Sequence, residues 1–158
     1  MSYQKNKVMR EIKFRAKDTL EGNWYIGSYV VTNDNTNNPF RNRPFKESHR
    51  IIFYSSGDWN MGGWSDIEID PSTLGQYTGL KDKNGKEIYE GDIIGCDNPN
   101  IKHLIFFNEK QGRFMAALDG DIENYCYGVC GLDDSRWNAT KEVIGNIHDN
   151  PELINKEE

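Results

Sequence analysis

The sequence has no run of about 18 apolar residues, the length that a helix needs to cross a membrane, so we expect no membrane span. Its first residues also lack the apolar stretch of a secretory signal peptide. Only three cysteines are present, Cys96, Cys126 and Cys130. An odd number of cysteines without such a signal favours reduced thiols. These absences predict a cytoplasmic protein.

Recognisable catalytic patterns are absent as well. The three histidines lie far apart in the sequence, and no G-x-S-x-G motif offers a nucleophile. Gly79 and Gly85 have five residues between them, where a phosphate-binding loop has four, and Glu87 occupies the Ser/Thr position of that loop. The acidic run at residues 119–123 lacks the glycine and the glutamate of a calcium loop. We therefore expect no enzyme activity and no cofactor.

The cysteine pair Cys126 and Cys130 is the one arrangement that suggests a metal. In a strand the two thiols share a face, and His103 or His148 would be a third ligand. Structural zinc sites use a tighter C-x₂-C pair and a second pair of ligands. Buried apolar thiols are the favoured interpretation, so no metal site is predicted.

Aromatic residues are what the sequence has in quantity. Its hydrophobic content is 36% and its mean hydropathy is −0.80, but it contains seven Phe, eight Tyr and four Trp. Each aromatic ring can bury a large apolar area, and disordered chains are poor in them. The 158 residues are enough for one folded domain with a core of its own.

Short apolar segments with period-2 alternation, separated by Gly, Asn and Asp, predict a mostly β fold. We expect a small barrel or sandwich of short antiparallel strands, with single helical turns at residues 71–74 and 151–154. The predicted strands are 12–17, 24–31, 51–54, 66–70, 101–107, 113–118, 125–129 and 142–147, together with a hairpin within 76–94 in which residues 93–94 begin a further strand. Residues 33–49 and 55–64 are predicted to be loops. Asp66, Glu68 and Asp70 form an exposed acidic face, and a hydrolase carboxylate set is the least favoured use for them.

Residues 76–94 (QYTGLKDKNGKEIYEGDII) carry the strongest local signal. Asn84-Gly85 predicts a two-residue hairpin turn, because both residues tolerate a positive φ. Asp82 equally suits a type I turn in which Gly85 is left-handed and makes a bulge. Gly79 and Gly91 mark further tight turns, so the segment is a structural element and not an active site.

Charge is distributed unevenly along the chain. Residues 1–50 carry ten Lys/Arg and five Asp/Glu, and residues 51–158 carry nine and twenty. The basic part alternates cations along the first strand and mixes them with aromatic residues at 40–46, a combination that single-strand binders use. The acidic pI of about 5.1 argues against a dedicated nucleic-acid domain. The candidate interaction residues are Lys13, Arg15, Lys17, Arg41, Arg43, Trp59 and Trp64.

Three segments are distinctive when taken together: residues 10–16 (REIKFRA), residues 76–94 and residues 143–153 (VIGNIHDNPEL), in that order. With these segments the sequence resembles the YopX family of phage and prophage proteins. The resemblance spans about residues 9–154. The sequence departs from the family pattern at Lys17, where a Trp is expected, and in the Trp/Gly-rich segment 55–64.

The resemblance implies a largely β fold with an SH3-like barrel in the C-terminal half, expression in a bacterial host cytoplasm from a mobile element, and self-association. It supplies no catalytic residues. We expect a flexible tail at residues 1–8, one domain at 9–154 with a loop-rich insertion at 33–72, and a short tail at 155–158. The leading hypothesis is a non-enzymatic accessory protein that forms a homo-oligomer or binds a phage or host protein. The alternative is a nucleic-acid-binding module that uses the basic N-terminal strand and the 41–50 loop.

Overall fold

The computed structural model describes residues 11–33, 47–56, 62–123, 126–128 and 141–154. Within these ranges the chain forms eleven strands and two single 3-10 turns. The strands are β1 Phe14–Lys17, β2 Trp24–Asn33, β3 Glu47–Ser55, β4 Gly63–Glu68, β5 Gly75–Lys81, β6 Glu87–Tyr89, β7 Asp92–Gly95, β8 Lys102–Asn108, β9 Arg113–Leu118, β10 Cys126–Gly128 and β11 Glu142–Asn146. The 3-10 turns are Pro71–Thr73 and Pro151–Leu153.

The strands form two sheets in which every pair is antiparallel. The first sheet has the order β4-β3-β2-β1-β5-β6, and the second has the order β10-β9-β8-β7-β11. The predicted mostly β fold of short antiparallel strands is confirmed. Among the described strands neither sheet closes into a barrel, although the first sheet curls toward closure.

The curl of the first sheet comes from contacts that join the C-terminal end of β1 to the C-terminal end of β4. Asp18 forms a β-bridge with Ile69, and the Asp70 N–H donates to the Lys17 carbonyl at 2.8 Å. The concave face then holds a core of Ala16, Ile51 and Ile69, packed against Phe14, Tyr25, Tyr29, Phe53, Ile67 and Leu74. The alternation along the first strand predicted an apolar side of Ile12, Phe14 and Ala16; Phe14 and Ala16 do lie in this core, whereas Ile12 precedes β1 and is 63% exposed.

The second sheet buries both of its faces, because Ile93 and Ile94 are neighbours in β7 and both are fully buried. One face packs against Ile88 and Leu80 of the β5–β6 hairpin. The other face packs against the C-terminal 3-10 turn through Leu153 and its neighbours. The near-continuous apolar runs of these strands reflect this two-sided burial.

The turn of the β5–β6 hairpin is one of the two types that the sequence left open. Gly85 has φ +81°, and its N–H donates to the Asp82 carbonyl at 2.9 Å. Among the described non-glycine residues only Asp119 has a positive φ, so Asn84 does not adopt the left-handed conformation that a two-residue type I′ turn requires. The type I turn with a left-handed Gly85 is therefore the one present.

The largest departure from the predicted elements lies in the β2–β3–β4 ribbon. β2 extends to Asn33 and β3 begins at Glu47, so the predicted 33–49 loop is shorter at both ends. Trp64 was predicted to lie in a loop but belongs to β4, where it pairs with Tyr54. Cross-strand pairing extended these strands beyond what their local composition indicated.

The predicted single turns are both present. The Asp70 carboxylate caps the first, accepting from the Ser72 N–H at 2.9 Å, as its Asp-Pro sequence predicts. Asn150 makes no side-chain capping bond at the second turn. Among the described residues, no helix reaches the length and apolar content that a membrane crossing requires.

Candidate interaction surface

The convex face of the first sheet carries the cations that the sequence singled out. The register pairs Arg15 with Ile26 and Lys17 with Trp24, and directly opposite residues of an antiparallel pair share a face. Lys13 precedes Arg15 by two residues and lies on this face as well. The three cations and Trp24 therefore form one row, which faces the second sheet.

Arg15 is the centre of this row. Its Nη2 lies 2.5 Å from Oδ1 of Asp92, the first residue of β7, and the Asp92 Oδ2 accepts the Tyr89 N–H at 2.7 Å. The guanidinium lies 4.9 Å from the ring centroids of both Trp24 and Tyr89. Burial raises the pKa of the fully buried Asp92 carboxyl, and the Arg15 charge opposes that rise.

The two lysines of the row are paired in the same way. Lys13 Nζ lies 2.6 Å from Oε1 of Glu87 and 4.8 Å from the Tyr77 ring centroid. Lys17 forms an ion pair with Asp149 and lies 5.4 Å from the Trp24 ring centroid. The row thus attaches β1 to β6, to β7 and to the C-terminal segment, with each cation next to a carboxylate of the same chain.

None of these partners was identified from the sequence. Glu87, Asp92 and Asp149 each follow the cation that they pair with by more than 70 residues, and no spacing rule connects them to it. Trp24 was predicted only as a strand residue, yet its indole N–H donates to Asp149 at 2.8 Å. The signal available in advance was an alternating cationic strand, which has the same appearance whether its charges bind a ligand or pair internally.

The environment of Asp149 predicts a specific acid sensitivity of the fold. Hydrogen bonds from Asn146, Lys17 and Trp24 lower the pKa of Asp149 to about 2. Because the folded pKa lies below the unfolded value of about 3.9, the stabilisation is complete above about pH 5 and is lost as the pH falls toward 2. We expect Asp149→Asn to lower stability at pH 6 and to lose less further stability between pH 4 and pH 2. Urea unfolding across that range measures both slopes.

Glu152→Gln is the matched control, because this exposed carboxylate has no hydrogen bond or ion pair among the described residues. The stability of Glu152→Gln should fall with decreasing pH in parallel with that of the wild type. A parallel fall for Asp149→Asn and the wild type would show that Asp149 does not contribute to acid sensitivity.

A second feature of the convex face is an exposed row of large side chains that crosses β2, β3 and β4. Ile26 is 49% exposed, Tyr54 60% and Trp64 77%. The Tyr54 and Trp64 rings meet edge to face, with centroids 5.7 Å apart and planes at 82°. We call these three residues the aromatic row.

A shallow groove adjoins the aromatic row. Its walls come from the same three strands, and Arg50 and Asp66 form an ion pair beside it. The lining residues are Val30, Thr32, Arg50, Ile52, Trp64, Ser65 and Asp66. The groove therefore combines an apolar floor, an exposed indole and an internally paired charge. Trp64 was a sequence candidate, whereas Ile26 and Tyr54 were missed because only the strand register brings them beside it.

The remaining sequence candidates fall in parts of the chain that the structure does not describe. Arg41, Arg43 and Trp59 lie outside the described residues, as does Cys130. Cys126 lies in β10, and its side chain is outside the described part as well. Within the described ranges, no group of three or more His, Cys, Asp or Glu residues is arranged to hold a metal ion.

Comparison with known proteins identifies the family. The model of the YopX protein family matches residues 13–155. The chain belongs to the YopX family. The chain is also similar to a solved structure, protein EF1440 from Enterococcus faecalis, with 28% identity and a TM-score of 0.52 over 93% of this chain and 100% of that one. No curated protein matches the chain. The resemblance drawn from the three sequence segments is thereby confirmed, and membership of the YopX family assigns no biochemical role.

Proposed function

We propose that this YopX-family chain is a non-enzymatic accessory protein of a phage or prophage, acting in the host cytoplasm by binding protein. The bound protein is a second copy of the chain or a phage or host partner. The observation that carries the proposal is the aromatic row, since three large apolar side chains on adjacent strands are 49–77% exposed. Contiguous exposed apolar residues with a polar rim are typical of protein interfaces, and Trp and Tyr dominate their binding energy.

The charges beside the aromatic row favour a protein partner over a nucleic acid. Phosphate binding requires cations that are not already compensated. Arg15 is paired with buried Asp92, and Arg50 of the groove is paired with Asp66. The chain as a whole has a net charge of −6. Favourable contacts on this face are therefore apolar and aromatic.

The alternative function, nucleic-acid binding through the basic N-terminal strand and the 41–50 loop, is supported by sequence charge. Arg41 and Arg43 belong to a basic, aromatic-containing stretch, and residues 1–50 carry five more basic than acidic residues. Titration with labelled single- and double-stranded DNA and RNA at low salt tests it. Binding that weakens with salt and is lost in an Arg41→Ala/Arg43→Ala variant would support this alternative.

Trp64→Ala is the variant that tests the protein-binding proposal. An indole that is 77% exposed contributes little to folding but can supply much of the energy of an interface. We expect the substitution to weaken self-association or partner binding at least about tenfold, with the melting temperature unchanged within about 2 °C. Multi-angle light scattering at high micromolar protein measures self-association, and co-purification from prophage-carrying cells measures partner binding.

Leu20→Ala is the matched control, because Leu20 is 84% exposed in the β1–β2 turn, away from the aromatic row. It removes a comparable apolar side chain and should leave binding unchanged. The proposal would be contradicted if the wild-type chain remains monomeric and binds no partner whose binding is weakened by Trp64→Ala.

A further inference from the structure

The outer edge of β4 borders the aromatic row, and the ladder between β3 and β4 determines which residues point their backbone N–H and C=O groups outward. Hydrogen-bonded pairs alternate along an antiparallel ladder. The Ile69 N–H donates to the His49 carbonyl at 2.9 Å, so odd-numbered residues of β4 bond to β3. The backbone groups of Trp64 and Asp66 therefore point away from β3, toward the sheet edge.

A contact at the end of β4 agrees with this alternation of inward- and outward-pointing backbone groups. The Glu68 carbonyl, which has the same parity as Trp64 and Asp66, accepts the Thr19 N–H at 3.2 Å from the side opposite β3. In the part of the chain that the structure describes, no strand pairs with the outer edge at Trp64 and Asp66. An edge of this kind is a template for adding another strand.

We propose that the β4 edges of two copies of this chain pair antiparallel across a twofold axis at Ser65. The proposal rests on the proposed function and deepens it by naming the partner and the register. Trp64 of each copy then lies opposite Asp66 of the other, and the backbone groups of these two residues form four hydrogen bonds. The two six-stranded sheets join into one continuous sheet, with an isologous interface.

Charge and aromatic contacts select this register. Only residues whose backbone groups face outward can hydrogen-bond across the interface, and in β4 these residues have even numbers. A twofold axis relates two even-numbered residues only if it passes through a residue of β4 and not between two residues. An axis at Asp66 would set two carboxylates directly opposite each other, which is unfavourable. An axis at Trp64 would pair Asp66 with Gly62, outside the strand. The axis at Ser65 keeps both pairs within β4.

The same register supplies a chemical complement to the groove. The partner's Trp64 lies next to Asp66 and hence next to Arg50, which is bound to Asp66. A guanidinium near an indole face is an attractive cation–π contact. Each copy therefore offers an exposed indole and receives one beside an ion pair that is already neutral. A second copy is thus the occupant that the geometry of β4 fits.

Asp66→Pro tests the edge while leaving β3 intact. The Asp66 N–H faces outward, so proline removes an edge donor without removing a bond to β3. Asp66→Ala is the matched control, since it removes the same carboxylate but keeps the N–H. Sedimentation equilibrium should show a dimer dissociation constant raised at least about tenfold by proline and within about threefold of wild type for alanine. Circular dichroism confirms that both variants are folded.

A crosslink provides a readout that does not depend on the folding of the proline variant. In a chain whose native cysteines are changed to serine, Ser65→Cys places the two thiols at a non-hydrogen-bonded antiparallel pair, with Cα atoms about 4.5 Å apart. That spacing lies within the range of a disulfide. Mild oxidation should give a covalent dimer with Ser65→Cys and little with Asp66→Cys, whose two copies are offset along the strands.

The outcomes separate this inference from the proposed function. A dimer that is unaffected by Asp66→Pro, or that does not crosslink at Ser65→Cys, would overturn the β4 pairing but leave self-association standing. A monomer that binds another protein through Trp64 would also overturn the pairing and leave protein binding standing. A chain that neither dimerises nor binds a partner would overturn both.

Discussion

Arg15→Leu should lower the free energy of unfolding by about 3–5 kcal/mol at pH 7, because it leaves the carboxylate of Asp92 buried without its counter-charge. Asp92 is fully buried, and Arg15 supplies the ion pair at 2.5 Å. Arg15 also packs against Trp24 and Tyr89, so the substitution removes ring contacts together with the charge. Urea unfolding followed by circular dichroism measures the change.

The pH dependence of this variant identifies the buried charge as the cause. Burial already raises the pKa of Asp92, and removal of Arg15 should raise it further. A carboxyl whose folded pKa exceeds its unfolded value makes stability fall as the pH rises through that interval. The defect of Arg15→Leu should therefore be smaller at pH 4.5 than at pH 7.5. An equal defect at both values would show that lost packing is the source.

Two further variants complete this experiment. Arg15→Leu/Asp92→Leu removes both charges and should recover much of the loss, since a buried ion pair exchanged for apolar residues is often neutral. Lys17→Met removes a more exposed cation from the same row and should cost about 1 kcal/mol or less.

Asp82→Ala should cost about 3 kcal/mol or more, because this buried carboxylate connects the β5–β6 hairpin to β11. One oxygen accepts the Asn84 N–H at 2.8 Å and the Lys86 N–H at 2.9 Å. The other oxygen accepts the Val143 N–H at 3.1 Å. Burial raises the pKa of Asp82, but the three N–H donors and nearby Lys86 outweigh burial and lower it. Alanine leaves these donors unpaired, at about 1–3 kcal/mol for each that stays buried.

Asp82→Asn should be intermediate, because its amide oxygen still accepts from the turn while the second acceptor is lost. Asn98→Ala is the control for an ordinary turn, since the Asn98 side chain accepts the Asn100 N–H in an exposed position. That change should cost less than about 0.5 kcal/mol. An Asp82→Ala variant within 1 kcal/mol of the wild type in urea unfolding would refute the proposed role of this carboxylate.

Local signals predicted the elements whose geometry is fixed by neighbouring residues. The left-handed Gly85 turn and the Asp70 cap depend on a few consecutive residues, so the sequence identified both. The length of the β2–β3 pair depends on partners such as Ser48 opposite Thr32, and local composition indicated a loop there instead. Strand propensity is set largely by cross-strand packing, which a single segment does not contain.

The candidate surface shows the same division. Alternation placed Lys13, Arg15 and Lys17 on one face, but their acidic partners follow them by more than 70 residues. Burial of Asp92 and exposure of Tyr54 are likewise decided by which strands become neighbours. A single sequence encodes these contacts only through the completed fold.

The Arg15–Asp92 link also has a consequence for folding during synthesis. β1 is made early, yet its antiparallel partner β5 begins at Gly75 and its buried counter-charge is Asp92. At elongation rates of about 5–20 residues per second, a ribosome needs on the order of 4–15 s to make the residues between Arg15 and Asp92. During that interval the edge of β1 that later pairs with β5 is open, and Arg15 has no buried counter-charge.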